Sequence, residues 1–138
     1  MTINFSEPTK CRVSLNVFGG DLELSQVSER LDLLPTREYL VGEKIPPHSN
    51  GITSERVSEF NMWVFKIDVD ELRPLEEHFF ALVELLVEQR IEQLKVLSSQ
   101  FEVTIQVYIT NDAGIEIPVK LMAVLSTCGI PILIDVQN

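Results

Sequence analysis

The sequence predicts an α+β fold: a four-stranded sheet with three helices, a ferredoxin-like variant built from two βαβ-like halves joined by a long helix. Three features carry that expectation. The segments Arg12–Phe18 and Glu102–Thr110 alternate apolar and polar residues strictly, the period of a half-buried strand. Between them, Leu75 to Leu97 repeats apolar residues at helical spacing. A weak internal repeat sets Ser14 with Thr104, Asn16 with Gln106 and Phe18 with Tyr108, and each copy runs on into a turn and a short helix.

In the first strand Val13, Leu15 and Val17 face one way, and Arg12, Ser14, Asn16 and Phe18 the other. Gly19-Gly20-Asp21 ends it. Ser25 then reads as an N-cap, with Val27, Leu31 and Leu34 on one helical face and Pro35 as the stop. Residues 36–55 read as a long loop, broken by Pro46-Pro47 and Asn50-Gly51. Phe60 to Ile67 is rich in aromatic and branched residues and reads as the second strand.

Pro74 suits a first helical turn, and one amphipathic helix of more than twenty residues follows. Its apolar face holds Leu75, Phe79, Leu82, Val83, Leu86, Arg90, Leu94 and Leu97, and its opposite face Glu77, Glu84, Glu88, Glu92 and Lys95. Val103, Ile105, Val107 and Ile109 give the third strand one dry face. Pro118 opens the third helix and Gly129 closes it. Ile130 to Val136 is a short, almost wholly apolar strand. Polar rows on the first and third strands leave the second sheet face at least partly open.

The 138 residues fit a single domain over 1–138, with 11–136 as the folded core. No apolar run reaches the roughly 18 residues of a spanning helix, and Met1 to Pro8 has no basic stretch leading into an apolar one. The expectation is a soluble, cytoplasmic chain. Cys11 and Cys128 stand 117 positions apart, outside any CxxC or Cys/His cluster, and read as buried or free thiols.

Twenty-one acids against eleven bases give a net charge of −10. A phosphate binder needs Lys and Arg to displace counterions, so the balance argues against nucleic acid and against anionic membrane surfaces. It suits a basic partner. The charge is uneven: Asp68 to Glu92 holds eight acids and two bases, −6 of the −10.

No catalytic constellation emerges. His48 and His78 are the two histidines, and no GxSxG elbow accompanies Ser49 or Ser54. His78 with Glu77 and Glu84 reproduces no HExxH or ExxH ligand pair, and Gly19-Gly20 is too short for a phosphate loop. The reading is therefore a non-enzyme, with no metal and no cofactor. Glu84, Glu88 and Glu92, spaced i, i+4, i+8, line one stripe that costs about 0.2–0.5 kcal/mol per like-charged pair, a cost that a basic partner relieves.

A family resemblance runs through the chain. Leu33-Leu34-Pro35-Thr36 after the first helix, Val41-Gly42-Glu43, the Trp-bearing strand Met62-Trp63-Val64, the helix opening Leu75-Glu76-Glu77-His78 and carrying Leu85-Leu86, and Gly129-Ile130 before the last strand resemble a bacterial family of small single-domain proteins of unknown function. Members turn up among immunity and toxin-neighbour genes. The likeness covers about Cys11 to Val136 and implies a cytoplasmic α+β protein of unassigned role, with toxin neutralisation one role. That family has no catalytic residues to carry over.

The function expected is a non-enzymatic protein-binding module, an immunity-type inhibitor in one form, with Glu77, Glu84, Glu88 and Glu92 meeting a basic protein. The alternatives are a small-molecule-sensing or regulatory domain using the 36–55 loop, with Tyr39, His48 and Trp63 around a pocket, and a structural homodimer formed through the open sheet face or an edge strand.

Overall fold

Strand β1 (Cys11–Gly19) lies at the centre of the sheet because both of its edges find partners. It pairs antiparallel with β5 (Asn61–Lys66) on one side and with β6 (Glu102–Thr110) on the other. A computed structural model describes residues 8–45, 56–111 and 114–137. Around β1 the chain adds α1 (Leu24–Leu31), β2 (Arg37–Tyr39), a small pair β3 (Lys44–Ile45) and β4 (Arg56–Val57), α2 (Leu75–Leu85), α3 (Glu88–Gln100), α4 (Val119–Cys128) and β7 (Ile132–Gln137). The main sheet runs β2-β5-β1-β6-β7, and only β6 and β7 are parallel. No helix among the described residues is long and apolar enough to cross a membrane.

The α+β class holds, but the sheet has five strands and the described helices number four. The additional strand lies in the segment expected to be a loop: Arg37–Tyr39 pairs with β5 and forms one edge of the sheet. That strand also undoes the first βαβ-like half. A helix returns the chain to the end where β1 began, so a strand following it directly would run parallel to β1. Here β2 comes first and β5 turns back along it, which leaves β5 antiparallel to β1. Among the described residues only β6-α4-β7 is a parallel βαβ unit, so the two-halved ferredoxin-like plan does not match.

Side-chain alternation places the core as expected. Val13, Leu15 and Val17 of β1, Trp63 of β5 and Val103, Ile105 and Val107 of β6 are buried in one cluster. Val27 and Leu31 of α1, Phe79 and Leu82 of α2, Leu94 and Leu97 of α3, and Leu121 and Leu125 of α4 join it, so all four helices cover one sheet face. Each such aliphatic side chain contributes about 1.5–3 kcal/mol of transfer free energy. Trp63 is fully buried, and its indole N–H donates to the Ser28 hydroxyl of α1 at 2.9 Å. On the helix-free face Arg12 stacks over the Tyr108 ring, 4.6 Å from its centroid, and pairs with Glu71 at 3.4 Å.

Two helix boundaries move. Helix α1 starts at Leu24 behind Glu23, and Ser25 is not its cap. It ends at Asp32, which takes the left-handed conformation (φ 54°). The chain therefore leaves the helix before Leu34, which is 84% exposed rather than in the core. At α4 the expectation stands: Pro118 precedes it, and Gly129 (φ 70°) closes it with Ile130 N–H donating to the Leu125 carbonyl at 2.9 Å.

The long helix is two helices. Leu86 (ψ 64°) and Val87 (ψ 161°) leave helical geometry, Val87 N–H turns back to the Leu85 carbonyl at 2.9 Å, and α3 restarts with Ile91 N–H on the Val87 carbonyl at 3.0 Å. A straight helix over this stretch would run about 35–40 Å, whereas strands of this length span about 20–30 Å. The break lets Phe79 and Leu82 on one side, and Leu94 and Leu97 on the other, reach the same core. Arg90, read as part of the apolar face, fills the break instead. Its guanidinium donates to the carbonyls of Leu31 (2.8 Å), Asp32 (3.2 Å) and Leu85 (3.1 Å).

Candidate functional site

The break divides the acidic row. Glu77 and Glu84 stand on α2, Glu88 in the first turn of α3 and Glu92 one turn further. Glu77 is engaged: both its oxygens meet the Arg73 guanidinium, at 2.6 and 2.7 Å. These hydrogen bonds hold its carboxyl below the usual glutamate range. Glu92 accepts from Lys95 at 3.2 Å. Glu84 and Glu88 are exposed, with no ion pair among the described residues.

The sequence reading missed the residue beside them. Phe80 is 67% exposed. It sits one turn from Glu76 on one side and from Glu84 on the other, both exposed, and Val87 is exposed at the break. The outer side of α2 is therefore an aromatic ring between carboxylates. The signal was present: Phe79, Leu75 and Leu82 define the buried face, which turns the adjacent Phe80 outward.

The alternative ligand set does not assemble. Trp63 faces the helices and is fully buried. Tyr39 pairs with Met62, the neighbour of Trp63, so it points to the opposite sheet face. His48 lies outside the described residues.

A cleft of about 390 Å³ opens where β1 ends and β6 begins. Phe18, Phe60 and Phe101 line it, together with Gly19, Asp21 and Glu102. The Phe18 and Phe60 rings are 5.9 Å apart at a 50° tilt. Gly19 lies beneath Phe101: a Cβ there would sit 2.9 Å from the ring, so the ring would have to shift.

A family model described as a domain of unknown function, DUF4279, matches residues 9–138. The chain belongs to that family. No curated protein and no solved structure matches it.

Among the described residues of this DUF4279 domain, both cysteines and the histidine are buried. Cys11 and Cys128 are free and buried, and burial raises both thiols, which favours the protonated form over the nucleophilic thiolate. The Cys11 thiol donates to the Arg73 carbonyl at 3.2 Å. His78 is fully buried on α2. The backbones of Asp70 and Arg73 approach its ring and favour the charged form, yet neither ring nitrogen makes a hydrogen bond of good geometry among the described residues. Desolvation outweighs those contacts and lowers its pKa.

Proposed function

We propose that this DUF4279 domain is a non-enzymatic binding module for a basic protein, the chemistry that an immunity-type inhibitor of a basic toxin requires. The supporting observation is Phe80, an exposed aromatic held on a helix between Glu76 and Glu84. An aromatic anchor supplies binding energy when desolvated. The flanking carboxylates, with Glu88, steer a cationic partner and fix its register. Glu77 and Glu92 lend the surrounding field but are already paired.

The test is capture from a lysate of the native cell at low and high salt, with bound proteins identified by mass spectrometry. The wild-type chain is compared with a Phe80→Ser, Glu84→Lys, Glu88→Lys variant. A basic protein held by the wild type at low salt, released at high salt and lost by the variant is the expected result. Equal capture by both proteins overturns the reading. All three side chains are exposed, so the variant keeps the wild-type fold, which circular dichroism checks.

Strand β7 favours a second reading, a homodimer. It is an edge strand paired on one side, and Leu133, Ile134 and Val136 are each more than a third exposed. Light scattering over a concentration series separates the two readings.

A further inference from the structure

We propose that the cleft at the end of β1 is a receptor for a cationic side chain, arginine or lysine, carried by the basic partner. This inference rests on the preceding reading and adds a second point of contact to it. Both charged side chains that line the cleft are acidic. Asp21 and Glu102 are exposed carboxylates, and Glu102 is the cross-strand partner of Phe18. Helix α3 ends here, with Gln100 of its last turn on the wall. Phe101 N–H takes the Leu97 carbonyl at 2.8 Å, and the extended Phe101 backbone stops the ladder. The final carbonyls of α3 therefore have no intrahelical donor, and no basic residue stands in its last turn to offset the negative end of the dipole.

The phenyl rings add to this field. An aromatic face carries partial negative charge and attracts a guanidinium or ammonium within about 6 Å of its centre. Phe18 and Phe60 are tilted against each other rather than stacked flat, and Phe60 is 43% exposed, so ring surface is open to a guest. Arg30, on α1, lines the adjoining recess beside Glu23 and not the cleft itself. A neutral apolar guest would desolvate the carboxylates and the helix end without compensation. An anion would meet repulsion from all of them. A flat cation on an aliphatic stem satisfies both, its stem against the rings and its charge against the carboxylates.

Two features favour a protein as the source over a free organic cation. The chain's net charge of −10 draws in basic macromolecules. The length of α3, about 20 Å, separates the cleft from Glu88 at the start of that helix, a distance that one basic protein face spans.

The experiment is a proton–nitrogen NMR titration of the full chain with N-acetyl-arginine methylamide, and with the neutral citrulline analogue of the same shape. Saturable shifts centred on Gly19, Gly20 and Glu102 are expected for the arginine compound. The citrulline compound should bind about tenfold more weakly, the factor that a few weak cation contacts supply together. An Asp21→Asn, Glu102→Gln variant should lose that preference, and Phe60→Ala should weaken both compounds. If Phe60→Ala does not fold, the double variant, at two exposed positions, decides alone. Equal binding of the two compounds overturns the proposal, as do arginine shifts confined to the surface around Phe80. This readout needs no partner, so the cleft can fail while partner capture succeeds, and the reverse.

Discussion

Arg90→Met is expected to cost about 3 kcal/mol of folding stability, and to lower the melting temperature of a chain this size by about 10 °C. Met keeps the aliphatic stem of the side chain and removes only its donors. The guanidinium serves three carbonyls at once: Leu31 and Asp32 at the end of α1, and Leu85 at the end of α2. Helix C-termini leave such carbonyls without intrahelical donors; of the three, Leu85 also accepts from Val87 N–H. A charge-assisted hydrogen bond is worth about 1.5–3 kcal/mol, and water reaching the half-exposed site recovers part of the sum. Arg90→Lys should fall between the two proteins, because one ammonium cannot span the fork of three acceptors. Urea unfolding measures all three. A loss below about 0.5 kcal/mol for Arg90→Met, the size of an ordinary surface substitution, would show that water already satisfies these carbonyls.

Arg90 also marks the limit of what the sequence made legible. The periodicity over 75–97 located the apolar core side chains, with Phe79, Leu82, Leu86, Leu94 and Leu97 all in the cluster, but not the buried His78. It did not locate the break, because apolar spacing continues through Leu86 and Val87 while the backbone does not. An arginine on an apolar helical face is a local conflict, and here the conflict was the signal of the break. Strand β2 was invisible for a different reason. Three residues offer too few alternations to register as a strand, and Arg37, Glu38 and Tyr39 gain their geometry only by pairing with β5. The antiparallel setting of β5 follows from that pairing. The cleft depends on contacts far apart in the chain, with Phe101 lying over Gly19 and Phe18 beside Phe60, and no local pattern announces them. Phe80 was legible and overlooked, because its neighbour Phe79 satisfied the core pattern.

His78 is expected to make the domain acid-sensitive. Its folded pKa is lowered, chiefly by burial. Lys66 opposes the charged form further, while Glu77 and the backbones of Arg73 and Asp70 favour it. The unfolded chain titrates near the ordinary value of about 6.5. Above about pH 7.5 the imidazole is neutral in both states, and its folded environment has no pH-dependent cost. As pH falls through about 6.5, the unfolded chain takes up a proton that the folded chain refuses, and stability drops by up to about 1.4 kcal/mol per pH unit. The drop from this group ends only when pH reaches the lowered folded value. The pairing of Glu77 with Arg73 gives way at lower pH, since it stabilises above the unfolded glutamate value and is lost as pH falls through the lowered folded one. His78→Leu removes the histidine component alone, because His48 is common to both proteins and cancels in the difference. The variant should match or exceed the wild type by about 1 kcal/mol at pH 8, having lost two buried ring nitrogens without hydrogen bonds. Its advantage should then widen as pH falls from about 7 toward the lowered folded value. Stability curves that stay parallel over that interval would mean that the folded imidazole accepts its proton as readily as the unfolded one.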